Sequence, residues 1–307
     1  MSQYAIETSN LSKIYNGRTV VSNVNMHIEK GDIYGFVGEN GAGKTTIMRM
    51  LCNLSVPNSG TYAIFGVDKD SIEISNARKK VSAIVESVAL DYGKTALQNL
   101  QIQCGITGVQ KSEEELIKII NLVGLDYEEI FDRPVKNFSL GMRQRIGLGM
   151  CMVYDPELIL LDEPMNGLDP KGIIEMRNII IDLNLKGVTF LISSHILAEL
   201  DKICNRIGFI SHGVLVKEIT MDELHSNTGK TLVLSAKDND LLVDVLKNKL
   251  NFKKVDVTKN EIIVRDEFNL DTVMSELVKN GVQISSFSVK EESIEDYYMS
   301  VVGKENK

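Results

Sequence analysis

Between Gly38 and Thr46 the chain reads GENGAGKTT. Residues 38–45 fit the spacing Gly-x-x-x-x-Gly-Lys-(Ser/Thr). Glycines at these positions let successive backbone N–H groups turn inward around a phosphate, because no Cβ blocks the approach. Lys44 offers a positive charge to the outer phosphates, and Thr45 offers a hydroxyl to Mg2+. The candidate nucleotide contacts are Gly38, Asn40, Gly41, Ala42, Gly43, Lys44, Thr45 and Thr46. Phosphate chemistry also needs a carboxylate for the metal and a group that orients water. The stretch LILLDEP over 158–164 supplies both. Asp162 is placed to hold Mg2+, directly or through water, and Glu163 to act as general base or water-positioner.

Such residues need a strand before the loop and a helix after it. IYGFV (33–37) is a short apolar run that reads as a buried strand, and TTIMRMLCNL (45–54) as a helix packed on a sheet. The helix then aims its N-terminal dipole at the same phosphates. SGTYAIFG (59–66) reads as a strand of an antiparallel sheet near the N-terminus. Residues 69–130 read as mostly helical, and SEEELIKIINLVGL (112–125) opens on a capping box, Ser112 with Glu115. ELILLDE (157–163) and VTFLISS (188–194) read as buried parallel strands joined by a helix over 171–187. RIGFISHGVLVKEI (206–219) reads as a hairpin turning at His212-Gly213. A break is expected near SNTGK (226–230), followed by strand, helix, two strands, helix, strand and a last helix over 293–302.

The totals narrow the function classes. A chain of 307 residues holds one large or two ordinary domains. A net charge of -8 argues against coating a nucleic-acid duplex, so no nucleic-acid partner is expected. The four cysteines, Cys52, Cys104, Cys151 and Cys204, form no CxxC pair, which fits buried thiols in a reducing cytosol. No apolar run approaches the roughly 20 residues that span a bilayer. The chain therefore reads as soluble, and any membrane work needs another polypeptide.

NFSLGMRQRIGLGM (137–150) carries the discrimination between nucleotide enzymes. It resembles the signature sequence of ATP-binding cassette proteins, LSGGQ followed by a basic helix start. Further motifs appear in the family's order. Tyr15 in LSKIYNG stands where the family stacks an aromatic on adenine. NGLDP (166–170) resembles the D-loop, with Asp169 as its acid. His195 in ISSHI stands where the family's switch histidine contacts the γ-phosphate. The resemblance runs from residue 4 to about 225.

The resemblance implies an α/β P-loop NTPase fold: a RecA-like core with an antiparallel β subdomain and a helical subdomain at about 86–155. This cassette would occupy 1–226, and a small C-terminal α+β accessory domain of ferredoxin-like order 229–307. It implies an ATPase using ATP and Mg2+ that works as an ATP-dependent head-to-tail homodimer. Ser139 and the backbone N–H of Gly141 would then serve the partner copy's γ-phosphate. Two departures stand out. Leu140 and Met142 replace a glycine and a glutamine of the signature. Glu86 in VSAIVESVALDYG (81–93) replaces the Q-loop glutamine, a contact of the metal or attacking water that faces the membrane partner. Both departures are similar to cassettes of lantibiotic self-immunity and bacitracin-resistance exporters. The tail ESIEDYYMSVVG (292–303) resembles the SLEDVF ending of export cassettes. The implied protein is the ATPase subunit of a peptide exporter, bound through a separate permease to the inner face of the cell membrane. A general drug, lipid or ion exporter is the alternative, and a soluble non-transport cassette or nucleotide sensor a remoter one.

Overall fold

The computed structural model describes residues 2–227, 230–258, 261–266, 268–291, 297–298 and 301. The chain divides into two compact units, Met1–Met221 and Asp222–Lys307. The division falls earlier than the composition break near 226–230. Met221 is buried and its N–H bonds the Asn205 carbonyl, which ties it to the first unit.

The first unit begins with strands β1 (Tyr4–Tyr15), β2 (Arg18–Val24), β3 (His27–Glu29) and β4 (Ile33–Val37). Helix α1 (Lys44–Leu51) follows, then β5 (Ser59–Ile64), β6 (Val67–Asp68), α2 (Ile74–Arg78) and β7 (Val81–Ile84). Helices α3 (Ala96–Thr107), α4 (Glu113–Leu122), α5 (Tyr127–Ile130) and α6 (Leu140–Met152) stand between β7 and β8 (Leu158–Asp162). The unit closes with α7 (Pro170–Leu185), β9 (Thr189–Ser194), α8 (Leu197–Leu200), β10 (Arg206–Ser211), β11 (Val214–Thr220) and the first residue of α9 (Met221–Asn227).

Two sheets carry this unit. A six-stranded sheet has the order β11-β10-β4-β9-β8-β7, with every pair parallel except β10–β11. A second sheet orders β2-β1-β5-β6, with β3 on β1, and is antiparallel. β4 and β9 are buried along their whole length, as apolar runs in a parallel sheet covered on both faces should be. Tyr34 and Phe36 of β4, Leu160 of β8 and Met48 of α1 share one core cluster. Burial of each such side chain contributes roughly 1.5–3 kcal/mol, which anchors the loop between β4 and α1.

Residues 69–130 are less helical than the sequence suggests. Val81–Ile84 is β7, the edge strand of the six-stranded sheet, paired with β8. Its apolar run is too short to show a period, and pairing to β8 decides its state. The capping box of α4 forms in full: Ser112 N–H donates to Glu115 Oε2 at 2.7 Å, and Glu115 N–H to Ser112 Oγ at 3.3 Å. The β10–β11 hairpin turns at His212 and Gly213, both with positive φ, 47° and 83°.

In the second unit β12 (Lys230–Ala236), α10 (Asn239–Asp244), β13 (Val255–Val257), β14 (Ile262–Val264), α11 (Leu270–Lys279) and β15 (Ile284–Glu291) follow in turn. The sheet order is β13-β14-β12-β15, all antiparallel. Leu232, Leu234, Leu246, Val273 and Leu277 form its separate core. The last helix expected over 293–302 lies outside the described residues, save 297, 298 and 301, which are helical.

All four cysteines are free thiols. Burial pushes Cys52 up to about 11 and Cys151 up to about 12. A raised pKa lowers the thiolate fraction, roughly a hundredfold or more below that of an exposed thiol at neutral pH. In the folded protein both should therefore resist iodoacetamide at pH 7.5, while urea-unfolded chain alkylates fully. Mass spectrometry of the two samples checks this.

Candidate functional site

The loop between β4 and α1 is shaped by its glycines. A Cβ on Gly38 would lie 2.4 Å from the Ile210 carbonyl oxygen of β10. Gly43 caps α1 at φ 109°, outside the range of ordinary side chains. Gly38→Ala should therefore destabilise the protein by about 1–3 kcal/mol, read as a fall of several degrees in Tm, together with loss of ATP affinity. The loop lines a cavity of about 180 Å3 together with Val20, Asn40, Gly41, Ala42, Gly43, Lys44, Thr45, Thr46 and Glu163. Gly38 is not among its lining residues.

Lys44 is turned back onto its own loop. Its Nζ donates to the Gly38 carbonyl at 2.6 Å and the Glu39 carbonyl at 3.2 Å, and lies 3.4 Å from Glu163 Oε1. Its side chain is only 6% exposed, so a nearly buried charge is compensated by one carboxylate and two carbonyl dipoles. Beside it, Thr45 Oγ1 donates to Asp162 Oδ2 at 2.8 Å and Ser193 Oγ to Asp162 Oδ1 at 2.5 Å.

Glu163 follows β8 in a left-handed turn, φ 50°. Its backbone N–H donates to Ser193 Oγ at 3.0 Å and its Oε2 meets His195 Nδ1 at 2.9 Å. Glu163 Oε1 is buried and has no hydrogen-bond partner among the described residues, although Lys44 stands at ion-pair range. Glu163 also lines the phosphate-loop cavity, which brings its carboxylate to the place where a water would meet the outer phosphate. Thr45 and Asp162 are hard oxygen donors of the kind Mg2+ takes, one or two at a time, with phosphate oxygens completing the shell.

The sequence reading missed Ser193. It bonds both the Asp162 carboxylate and the Glu163 backbone, and it holds the two strand ends in register through the β8–β9 pair Asp162↔Ser193. A serine at the end of an apolar strand carries no signal of its own; only the parallel register reveals it.

A second cavity, of about 260 Å3, is lined by Ser139, Gly141, Met142, Arg145, Asp169, Lys171, Gly172 and Glu175. Ser139 caps α6, accepting from the Met142 N–H at 3.2 Å. Asp169 caps α7, accepting from the Gly172 N–H at 2.9 Å. Two helix starts thus converge on one concavity, which makes it suited to an anion. Among the described residues it shares no lining residue with the phosphate-loop cavity.

Two expected residues stand apart from both cavities. Tyr15, 43% exposed, bonds Ser55 Oγ through its hydroxyl at 2.9 Å, with Lys13 Nζ 4.8 Å from its ring centroid. Glu86 does not join Thr45 and Asp162. It has φ 68°, and its Oε1 accepts from Arg49 Nη1 of α1 at 2.8 Å. The left-handed turn after β7 sends the carboxylate to that guanidinium instead of to the metal-side pair.

The ABC transporter family profile matches residues 21–166. The bacitracin transport ATP-binding protein BcrA of Enterococcus faecalis is 37% identical over 304 residues, 98% of this chain and 97% of that protein. The lantibiotic transport ATP-binding protein SrtF of Streptococcus pyogenes is 41% identical over 217 residues, 71% of this chain and 91% of that protein. Among solved structures, a bacterial ABC transporter cassette in dimeric form aligns with a TM-score of 0.62 at 22% identity, over 70% of this chain and 98% of that one. Likeness along nearly its whole length to a transport ATP-binding protein makes this chain a member of the ABC transporter family, an ATP-binding subunit whose ATP hydrolysis is coupled to transport.

Proposed function

We propose that this ATPase powers export of antimicrobial peptides of the bacitracin or lantibiotic type through a separate membrane permease. The observation that carries the reading is the Lys44–Glu163–His195 cluster beside Thr45–Asp162: the start of α1 and the ends of β8 and β9 bring together the cation, the metal-side oxygens and the water-positioning acid of phosphoryl transfer. The peptide class rests on the likeness to BcrA and SrtF. Among the described residues no helix is long and apolar enough to cross a membrane, which supports a permease on another chain and a peripheral place at the inner face of the membrane.

Each residue's task follows from its contacts. Phosphates displace the Gly38 and Glu39 carbonyls from Lys44, exchanging weak dipoles for full charges. Thr45 and Asp162 would hold Mg2+, which would supply positive charge to the phosphates. Glu163 orients and deprotonates the attacking water, while His195 and Ser193 fix its side chain and backbone. Gly41, Ala42 and the neighbouring loop amides cradle the phosphates; the family resemblance, not a contact in the structure, assigns Tyr15 to the base. Ser139, Gly141 and Asp169 complete the site of a second copy, head to tail; their separation from the phosphate-loop cavity supports this division. Glu86 is assigned to coupling with the permease: Glu86→Ala should retain ATP binding yet lose peptide resistance in cells.

The test is a pull-down of the chain from native membranes in mild detergent, with mass spectrometry of its companions. A polytopic permease in roughly stoichiometric amount supports the reading. Ribosomal or DNA-bound companions with no membrane protein would contradict it.

A further inference from the structure

Helix α1 reaches three acids at the C-terminal ends of two neighbouring strands. Lys44 lies against Glu163, Thr45 donates to Asp162, and Arg49 donates to Glu86. Arg49 stands four residues after Thr45, so both occupy one face of α1. Glu86 follows β7, which runs parallel to β8 with Ile84 opposite Leu161. Glu86 stands two positions beyond Ile84 as Glu163 stands two beyond Leu161, so both acids follow the same end of the sheet.

The pair is an odd one to keep for stability alone. Its side chains are 45% and 59% exposed, and an ion pair in that setting adds little to folding. Yet Glu86 takes a left-handed backbone, which a non-glycine residue adopts at a cost and which clusters where function requires it. The electrostatic surroundings supply a reason. Asp162 and Glu163 already present negative charge at this end of the sheet, and Lys44 answers Glu163 alone. A third free carboxylate beside them would repel the phosphates of ATP.

We propose that Arg49 is a positioning residue for ATP binding and hydrolysis: it holds the Glu86 carboxylate against α1 and neutralises it, so that the phosphate site does not face a further uncompensated negative charge. This rests on the ATPase reading of the same site. Arg49 thereby does for Glu86 what Lys44 does for Glu163 before nucleotide arrives. The arrangement lets a glutamate stand at the end of β7 without weakening the grip on ATP.

The experiment is a double-mutant cycle on the full chain with Arg49→Ala, Glu86→Gln and the two combined, plus Arg49→Lys. Mg·ATP dissociation constants and steady-state ATPase kinetics are measured for each. Arg49→Ala should raise Kd and KM about five- to tenfold, with a smaller change in kcat. In the Glu86→Gln background the loss of Arg49 should cost nothing further, because no charge is left to neutralise. Arg49→Lys should recover most of the affinity, and the Arg49→Ala defect should shrink at high salt. An unchanged Kd in Arg49→Ala overturns the proposal. So does an equal defect with or without the Glu86 charge, which would mark Arg49 as a packing residue. A wild-type chain that binds Mg·ATP without hydrolysing it would contradict the ATPase reading, while the Kd cycle would still decide the role of Arg49.

Discussion

Glu163→Gln should lower the ATPase kcat by about 10²–10⁴-fold, the usual contribution of a general base, with little change in ATP affinity. The substitution keeps the shape of the side chain and removes the charge that accepts a proton. Its neighbours define the outcome. His195 Nδ1 still has an oxygen or an amide to meet at Oε2, and the backbone bond to Ser193 is untouched. Lys44 loses its carboxylate partner but keeps the Gly38 and Glu39 carbonyls until phosphates arrive. Binding without turnover should therefore accumulate the ATP-bound dimer, visible by size-exclusion chromatography with light scattering in Mg·ATP. A Glu163→Gln protein that hydrolyses ATP at the wild-type rate would remove Glu163 from the chemistry.

Lys44→Ala should fail one step earlier. Charge-assisted hydrogen bonds contribute roughly 1.5–3 kcal/mol each, and the ammonium has the donors to make about two to the phosphates. The ATP dissociation constant should rise by about 10²–10⁴-fold. The change also leaves the partly buried Glu163 with no cation, so Tm should fall. The chain contains no tryptophan, and one introduced near Tyr15 reports nucleotide titrations of both variants without background. Lys44→Ala binding ATP as tightly as Glu163→Gln would contradict the division of labour between cation and base.

The phosphate loop was legible because its physics is local. Gly38 and Gly43 stand where the backbone meets Ile210 or turns to positive φ, and the motif spacing states this directly. The buried strands β4, β8 and β9, the α4 capping box and the β10–β11 hairpin are likewise written in short runs of residues. What escaped depends on register between distant segments. β7 is a strand because β8 accepts it as an edge. Ser193 matters because β9 lies beside β8. Arg49 meets Glu86 because a helix and a strand end, 37 residues apart, converge. His195 and Tyr15 were found only through the order of the other motifs; the structure brings His195 to Glu163 and leaves Tyr15 on Ser55.

The central claim is that hydrolysis at this site drives peptide export. The most direct measurement compares the inhibitory concentration of bacitracin and of a lantibiotic for cells expressing the chain with its co-purified permease, against the same cells carrying Glu163→Gln. The account predicts a many-fold higher inhibitory concentration for at least one peptide with the intact chain, abolished by Glu163→Gln. Equal inhibitory concentrations for both peptides, with both proteins expressed and the intact chain active as an ATPase, would contradict it.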